Sequence, residues 1–345
     1  MIFGGNEVFG SIAGQFKMLS DPFKTNYVLV KKPQRERFTL RREKSQERAY
    51  YLGTAYGYRR GCLSDASKKG YLGVVKYLVG VGADVHDEAL RLASEGGHLD
   101  VVKYLVLVGA DVHTGNDHAL RRASNNGHLE VVKYLIGEGA DVHAEGDDAL
   151  RWASERGHLE VVKYLVLVGA DVNAGYGGAL GSASGGGHLE ATQYLIGKGA
   201  DVHADDDYAL RWASRGGHLG VVKYLVPKGA DVHAEDDFAL RWASRYGHLE
   251  VTQYLVGVGA DVHARGDEAL RLASQNGHSD VVKFLIGVGA DVHAGDDYAL
   301  RLASRGGHSE VVKYLIGVGA DVQKQHKSTL SITCVMDVDA IKFQK

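Results

Sequence analysis

Apolar and polar positions in this chain follow a helical spacing inside blocks of 30 residues. In the block formed by residues 237–264, apolar side chains recur three and four positions apart, which is the spacing of one buried helix face. Gly247 interrupts the block near its middle, and Gly257 and Gly259 end it, as expected of residues that stop helices. The pattern therefore predicts two short helices per block, joined by a tight turn.

The same block recurs along most of the chain. The dipeptide Ala-Leu returns every 30 residues, at positions 89, 119, 149, 179, 209, 239, 269 and 299. Self-similarity at a fixed period indicates units that stack on one another to bury a shared core. We count nine units, the first of which opens at Cys62, and predict an array over residues 62–328. Residues 1–61 are expected to hold degenerate capping helices, and residues 329–345 a partial repeat or C-terminal cap.

The block resembles the ankyrin repeat. Phe238-Ala239-Leu240-Arg241 stands where that family has TPLH, the second helix reads GHLEVVKYL at residues 127–135 and 157–165, and the exit reads GADVH or GADVN. The resemblance covers about residues 62–322 and implies an all-α fold, an ankyrin-type α-solenoid of stacked helix-turn-helix repeats. The unit is shorter than the family's 33 residues, which implies short or absent β-hairpin fingers. In this respect the chain resembles the ankyrin proteins of large DNA viruses that infect amoebae.

Charged residues recur with the repeat. Seven units place an Asp four residues before an Arg, as in Asp237 and Arg241. We interpret the Asp as the N-cap of the first helix and the Arg as its ion-pair partner one turn later. In the remaining unit Gly177 and Gly181 replace both residues together, which favours this pairing. Phosphate binding by an arginine ladder is disfavoured, because each guanidinium has a carboxylate neighbour and the net charge is -3.

Histidine recurs at the turn between the helices and again after GADV, as in His248 and His263. Members of one row lie about 10 Å apart in stacked helices, whereas zinc ligands lie within about 2.3 Å of the metal. Ser244, His248 and Asp237 resemble a hydrolytic triad in type, but the same set recurs in unit after unit without one convergent pocket. We therefore expect no catalytic residue, no metal site and no cofactor, and a protein that is not an enzyme.

The remaining composition bears on location and on one alternative function. Cys62 and Cys334 are the only cysteines, too few for a disulfide framework, so a reducing, cytoplasmic compartment is expected. No apolar run approaches the roughly 20 residues of a membrane span, and residues 1–16 lack the pattern of a secretion signal. The basic stretch between Lys31 and Arg48 leaves open an alternative, a nucleic-acid-associated factor, although such runs are more often solvated faces.

The resemblance places partner contacts on the concave face, at the residue before Ala-Leu and at the end of the first helix. These positions vary between units while the framework repeats. Aromatic and arginine side chains, which dominate interface hot spots, concentrate there in the C-terminal half. The predicted partner-binding residues are Tyr208, Arg215, Phe238, Arg245, Tyr246, Tyr298 and Arg305. We therefore predict a monomeric protein–protein interaction scaffold with a protein partner, a host protein in the viral case, and no membrane partner.

Two further expectations concern stability. Trp152, Trp212 and Trp242 are predicted to fill the core, because the family keeps an apolar framework residue at that position. The unit at residues 175–204 is predicted to be the weak link of the array. It contains six glycines between positions 177 and 187, and each glycine inside a helix costs roughly 0.8–1 kcal/mol relative to alanine.

Overall fold

The structure, a computed structural model, describes residues 59–85 and 87–322. Within these ranges it contains eighteen α-helices in nine consecutive pairs and no strand. The first helices of the pairs are α1 (Arg59–Lys68), α3 (Asp87–Glu95), α5 (Thr114–Asn125), α7 (Ala144–Glu155), α9 (Ala174–Gly185), α11 (Ala204–Arg215), α13 (Ala234–Arg245), α15 (Ala264–Gln275) and α17 (Ala294–Gly306). The second helices are α2 (Leu72–Gly80), α4 (Leu99–Leu107), α6 (Leu129–Gly137), α8 (Leu159–Leu167), α10 (Leu189–Gly197), α12 (Leu219–Leu225), α14 (Leu249–Gly257), α16 (Ser279–Gly287) and α18 (Ser309–Gly317).

The predicted all-α solenoid without hairpin fingers is confirmed over these residues. α12 is shorter than its counterparts, because Pro227 turns its last residues into a 3-10 turn, Val226–Lys228. The predicted capping helices in residues 1–61, the basic stretch between Lys31 and Arg48 and the cap at residues 329–345 lie outside the described residues.

The core is one apolar layer between the two rows of helices. In a representative unit, Leu240 and Ala243 of α13 and Leu255 of α14 are 0% exposed. Equivalent residues are buried in every unit from α3 onward, so the layer continues through the stack without interruption. Each unit is thus stabilised mainly by its two neighbours.

The stack curves towards its first helices. First helices of adjacent units pack closely, whereas second helices of adjacent units contact each other sparsely. The buried residues of the first helices are mostly alanine, serine and a single leucine, and small side chains permit short distances between helix axes. The variable ends of the first helices therefore lie on the concave side.

Before each of six first helices the chain makes a left-handed turn of three residues. Ahead of the regular part of α13, Glu235, Asp236 and Asp237 have φ values of 54°, 54° and 58°. The other five turns are Gly115-Asn116-Asp117, Glu145-Gly146-Asp147, Asp205-Asp206-Asp207, Arg265-Gly266-Asp267 and Gly295-Asp296-Asp297. Asp237 thus stands directly before the regular part of α13, as predicted for an N-cap, but the predicted bond from its carboxylate to the first-turn amides is wrong, because that carboxylate binds Asp261 and His233 instead.

The buried aspartate of this turn connects successive loops. The Asp237 carboxylate accepts the backbone N–H of Asp261 at 2.8 Å and lies 3.1 Å from Nδ1 of His233. The Asp261 carboxylate in turn accepts the N–H of His263 at 2.9 Å. Asp117, Asp147, Asp207, Asp267 and Asp297 bind residues 141, 171, 231, 291 and 321 in the same way. This contact sets the spacing between one loop and the next.

The recurring arginine binds the carbonyl groups of the left-handed turn. Arg241 donates through Nε to the Asp236 carbonyl at 2.9 Å and through Nη2 to the Glu235 carbonyl at 2.7 Å. Arg121, Arg211, Arg271 and Arg301 each donate to the carbonyl six residues earlier. The prediction of a direct ion pair between Asp237 and Arg241 is therefore wrong. The two residues stabilise the same turn through different groups.

The unit with Gly177 and Gly181 uses a different set of contacts. Gly177 has no carboxylate, yet the N–H of Asp201 has an acceptor, because Oδ1 of Asn173 lies 2.8 Å away. Asn173 also donates to the Gly199 carbonyl at 3.1 Å. The two neighbouring units have histidine where this one has Asn173. The residues at 173 and 177 thus differ from the repeat in a compensating way.

The histidines between paired helices join adjacent units. Nε2 of His248 lies 3.0 Å from the carbonyl oxygen of Arg215, at the end of the preceding first helix. His98, His128, His158, His188, His218, His278 and His308 make the equivalent bond at 2.9–3.0 Å. A carbonyl only accepts hydrogen bonds, so Nε2 carries the proton. This row of histidines is therefore part of the framework.

Candidate functional site

Aromatic rings on the concave side of α11 and α13 form a strip. Along α13, the ring centroids of Phe238 and Trp242 are 5.0 Å apart, and those of Trp242 and Tyr246 are 5.6 Å apart. Along α11, the centroids of Tyr208 and Trp212 are 5.3 Å apart. Residues four positions apart lie one above the other on a helix, so each row follows one helix face. We call these five rings the aromatic strip.

Two arginines lie against the aromatic strip. The guanidinium carbon of Arg215 is 4.2 Å from the centroid of Trp212, 5.2 Å from that of Trp242 and 5.5 Å from that of Tyr246. The guanidinium carbon of Arg245 is 4.8 Å from the centroid of Trp242. These are cation–π distances. Arg215 thus connects the rings of α11 with those of α13.

The four arginines of α11 and α13 fall into two kinds. Arg241 is 4% exposed and donates to Glu268 at 2.5 Å as well as to its own turn, and Arg211 donates to the Asp205 carbonyl. By contrast, no side-chain hydrogen bond or ion pair engages Arg215 or Arg245 within the part of the chain that the structure describes. Their guanidinium groups lie over aromatic rings, and their N–H donors have no side-chain acceptor there.

The structure brings together five of the seven predicted partner-binding residues. Tyr208, Arg215, Phe238, Arg245 and Tyr246 all lie in or against the aromatic strip. Tyr298 lies two units from α13, where the guanidinium carbons of its own neighbours Arg271 and Arg301 are 5.8 Å and 4.9 Å from its ring. Arg305 is exposed at the end of α17 and contacts no ring among the described residues.

The tryptophans belong to the surface, so their assignment as core fillers is wrong. Trp212 and Trp242 are half-buried and lie in the aromatic strip, and Trp152 is half-buried under Arg121 and Arg122. Residues two apart on a helix point to different sides, so Trp242 cannot share the buried face of Leu240. The sequence did indicate that Trp242 shares a helix face with other rings, because Trp242 lies four residues from both Phe238 and Tyr246.

The glycines of α9 make room for the aromatic strip. A methyl group on Gly181 would overlap the ring of Tyr208, and a Cβ on Gly185 would lie 3.2 Å from Cβ of Trp212. Tyr208 is therefore packed against bare backbone, and burial raises the pKa of its hydroxyl. These glycines, predicted as a weakness, thus also position the residues of the candidate site.

The described ranges contain no group of three or more His, Cys, Asp or Glu side chains placed to hold a metal ion. None of their helices combines the length and the apolar character that crossing a membrane requires.

Stacked helical pairs with a constant framework and a variable concave face define the class of repeat proteins that bind other molecules through an extended surface. A family model of three copies of the ankyrin repeat matches residues 63–145, 90–176, 150–236, 179–266 and 240–326. The chain therefore belongs to the ankyrin repeat family, whose members generally mediate protein–protein interactions and are typically not enzymes. Comparison with curated protein sequences finds no match.

Proposed function

We propose that this protein is a non-catalytic scaffold that binds a protein partner on its concave face, with the contact centred on α11 and α13. The observation that carries this proposal is the aromatic strip with Arg215 and Arg245 against it. Aromatic and arginine side chains supply most of the binding energy of protein interfaces, and here they occupy the variable positions of two adjacent units. Tyr298 and Arg305 extend the proposed surface towards the C-terminal end of the array.

We also propose a domain division, an oligomeric state, a location and an origin for this protein. The domain division is an array at residues 62–328 with a segment before it and a cap after it. The protein acts as a monomer in the cytoplasm. The short repeat resembles that of ankyrin proteins from large DNA viruses of amoebae, and with such an origin the partner is a host protein.

Capture of the partner tests the proposed contact. We expect the double variant Arg245→Ala/Tyr246→Ala to lose a partner that the wild type captures and cross-links in native cell extract, identified by mass spectrometry. Glu155→Ala/Arg156→Ala is the matched control, because it changes the same two positions at the end of α7, where the aromatic strip is absent. Far-ultraviolet circular dichroism and the unfolding midpoint verify that both variants fold. Equal capture by the wild type and Arg245→Ala/Tyr246→Ala contradicts the placement.

A further inference from the structure

We propose that the partner segment bound at the aromatic strip is a short acidic peptide, with two carboxylates for Arg215 and Arg245 and an apolar side chain between them. This inference rests on the proposed function and specifies the chemistry of its ligand. Two observations support the carboxylates, namely the open donors of these two arginines and their closeness to each other. The negative charge of the surrounding loops limits the ligand to a short segment.

The open donors favour carboxylates. A guanidinium has five N–H donors in a planar fork that matches a carboxylate with two parallel hydrogen bonds. Arg211 and Arg241 use these donors on their own turns and on Glu268. Arg215 and Arg245 lie over rings instead, and a ring does not occupy the hydrogen-bond donors of a guanidinium. The rings also restrict both side chains, which reduces the entropy lost on binding.

The guanidinium groups of Arg215 and Arg245 are close together. Their guanidinium carbons lie 5.2 Å and 4.8 Å from the same Trp242 centroid, so they are separated by no more than about 10 Å, a distance at which like charges still repel. The nearby carboxylates of Glu268 and Asp205 form ion pairs with Arg241 and Arg211, respectively. A ligand with two carboxylates at matching spacing removes this repulsion. Tyr246, 40% exposed, offers the apolar contact between them.

The surroundings favour a short peptide over a nucleic acid. Bases bind by stacking on open ring faces, but Phe238 stacks on Trp242 at an angle of 17° and both tryptophans carry guanidinium groups. The adjacent turns expose the carboxylates of Asp205, Asp206, Glu235 and Asp236, of which Asp205 and Asp236 pair with Arg211 and Arg265. A long polyanion would be repelled by the remaining negative charge of these loops, whereas a segment of a few residues need not extend over them.

Fluorescence anisotropy with labelled peptides tests the inference. The probes are a peptide with two Asp-Glu pairs around one Phe, the same peptide with Asn and Gln in place of Asp and Glu, and a single-stranded oligothymidylate of similar length. We expect the acidic peptide to bind the full chain at least about tenfold more tightly than the amide peptide and the oligonucleotide, with an affinity that falls as salt rises.

Matched variants locate the binding. Arg215→Gln/Arg245→Gln should weaken the acidic peptide at least about tenfold. Arg156→Gln/Lys313→Gln removes the same charge at exposed positions away from the aromatic strip and should leave the affinity within about twofold. Circular dichroism verifies folding, and if the arginine variant does not fold, the comparison of acidic and amide peptides on the wild type decides.

Several results overturn the inference. These are no binding of the acidic peptide, equal binding of the amide peptide or the oligonucleotide, and an equal loss in the Arg156→Gln/Lys313→Gln control. The proposed function is tested separately: if capture depends on Arg245 and Tyr246 but the cross-linked segment of the partner has no carboxylates, the scaffold function stands and the acidic ligand is wrong.

Discussion

Single residues in the left-handed turns accept an unfavourable backbone conformation. The left-handed region of backbone conformation costs each residue other than glycine about 1–2 kcal/mol, because Cβ approaches the following carbonyl oxygen. Asp and Asn tolerate it best, but Glu145, Glu235 and Arg265 also adopt it, with φ values of 54°, 54° and 52°. At the same position of two other turns the chain has Gly115 and Gly295. The turn is retained because Arg241 binds two of its carbonyl groups and its last residue, Asp237, binds the next loop.

Glu235→Gly should therefore raise the free energy of unfolding by about 1 kcal/mol. The Glu235 side chain is exposed, and its carbonyl, the acceptor for Arg241, remains in the variant. Urea unfolding at neutral pH measures the change. Gly295→Ala is the matched reverse substitution at the equivalent turn, where φ is 62°, and should lower stability. A destabilised Glu235→Gly protein would show that the turn carries no such strain.

The helical pair is the element that the pattern predicts best, and the loop between pairs is the one it predicts least well. Helix positions follow from apolar spacing and from glycines at their ends, and all nine pairs occur as expected. The contacts between successive loops join residues 24 or more positions apart, such as Asp237 with Asp261. In the glycine-rich unit Asn173 replaces the missing carboxylate, so the amount by which that unit is weakened stays a prediction.

Asn173→Ala should destabilise the array by about 1 kcal/mol, because it removes two solvent-exposed hydrogen bonds, one from the N–H of Asp201 and one to the carbonyl of Gly199. His203→Ala is the matched control, since Asp207 still accepts the N–H of Asp231 in that unit, and its loss should be smaller. Urea unfolding compares the stability of the two variants. In Asn173→Ala, hydrogen exchange should be fastest at the amides of residues 175–204. Equal losses in both variants would argue against a special role for Asn173.

The stability of the whole molecule depends on contacts between units. The histidines between paired helices make these contacts sensitive to acid. Burial lowers the pKa of His158 and of His218 below the value of 6.5 for a free side chain. The hydrogen bond to the preceding carbonyl opposes this shift, and further lowering comes from charges nearby. For His158 these charges are His128, His188 and Arg156, and for His218 they are His188 and His248.

At His158 and His218 the folded chain therefore binds fewer protons than the unfolded chain just below pH 6.5. The stability contributed by neutral His158 and His218 is complete above the unfolded pKa and is lost as the pH falls through the folded pKa. We expect the free energy of unfolding to be lower at about pH 5.5 than at about pH 7.5. In His158→Gln, whose amide can donate to the same carbonyl without titrating, this difference should shrink. An unchanged pH dependence in the variant would exclude His158 as a contributor.

Part of the candidate site was predictable. Variable positions at the ends of first helices singled out Tyr208, Arg215, Phe238, Arg245 and Tyr246, because repetition elsewhere makes variation visible. Trp212 and Trp242 were not predicted as site residues, because the family keeps an apolar framework residue at that position, whereas here the rings lie on the face shared with residues four positions away. The distinction between Arg241 and Arg245 was not predictable, because it depends on which carbonyls and carboxylates lie within reach after folding.

The sequence alone determined the helical pairs, their number over the described residues and their stacking. Apolar periodicity and the 30-residue repeat are local properties of the chain, and any folded form must bury the apolar helix faces that they define. Only the tertiary structure decided what the recurring polar residues bind. Asp237 and Arg241 are one helical turn apart in sequence, yet the left-handed turn directs one to the next loop and the other to backbone carbonyls. Likewise, packing of α9, α11 and α13 across different units assembles the aromatic strip and leaves Arg215 and Arg245 open.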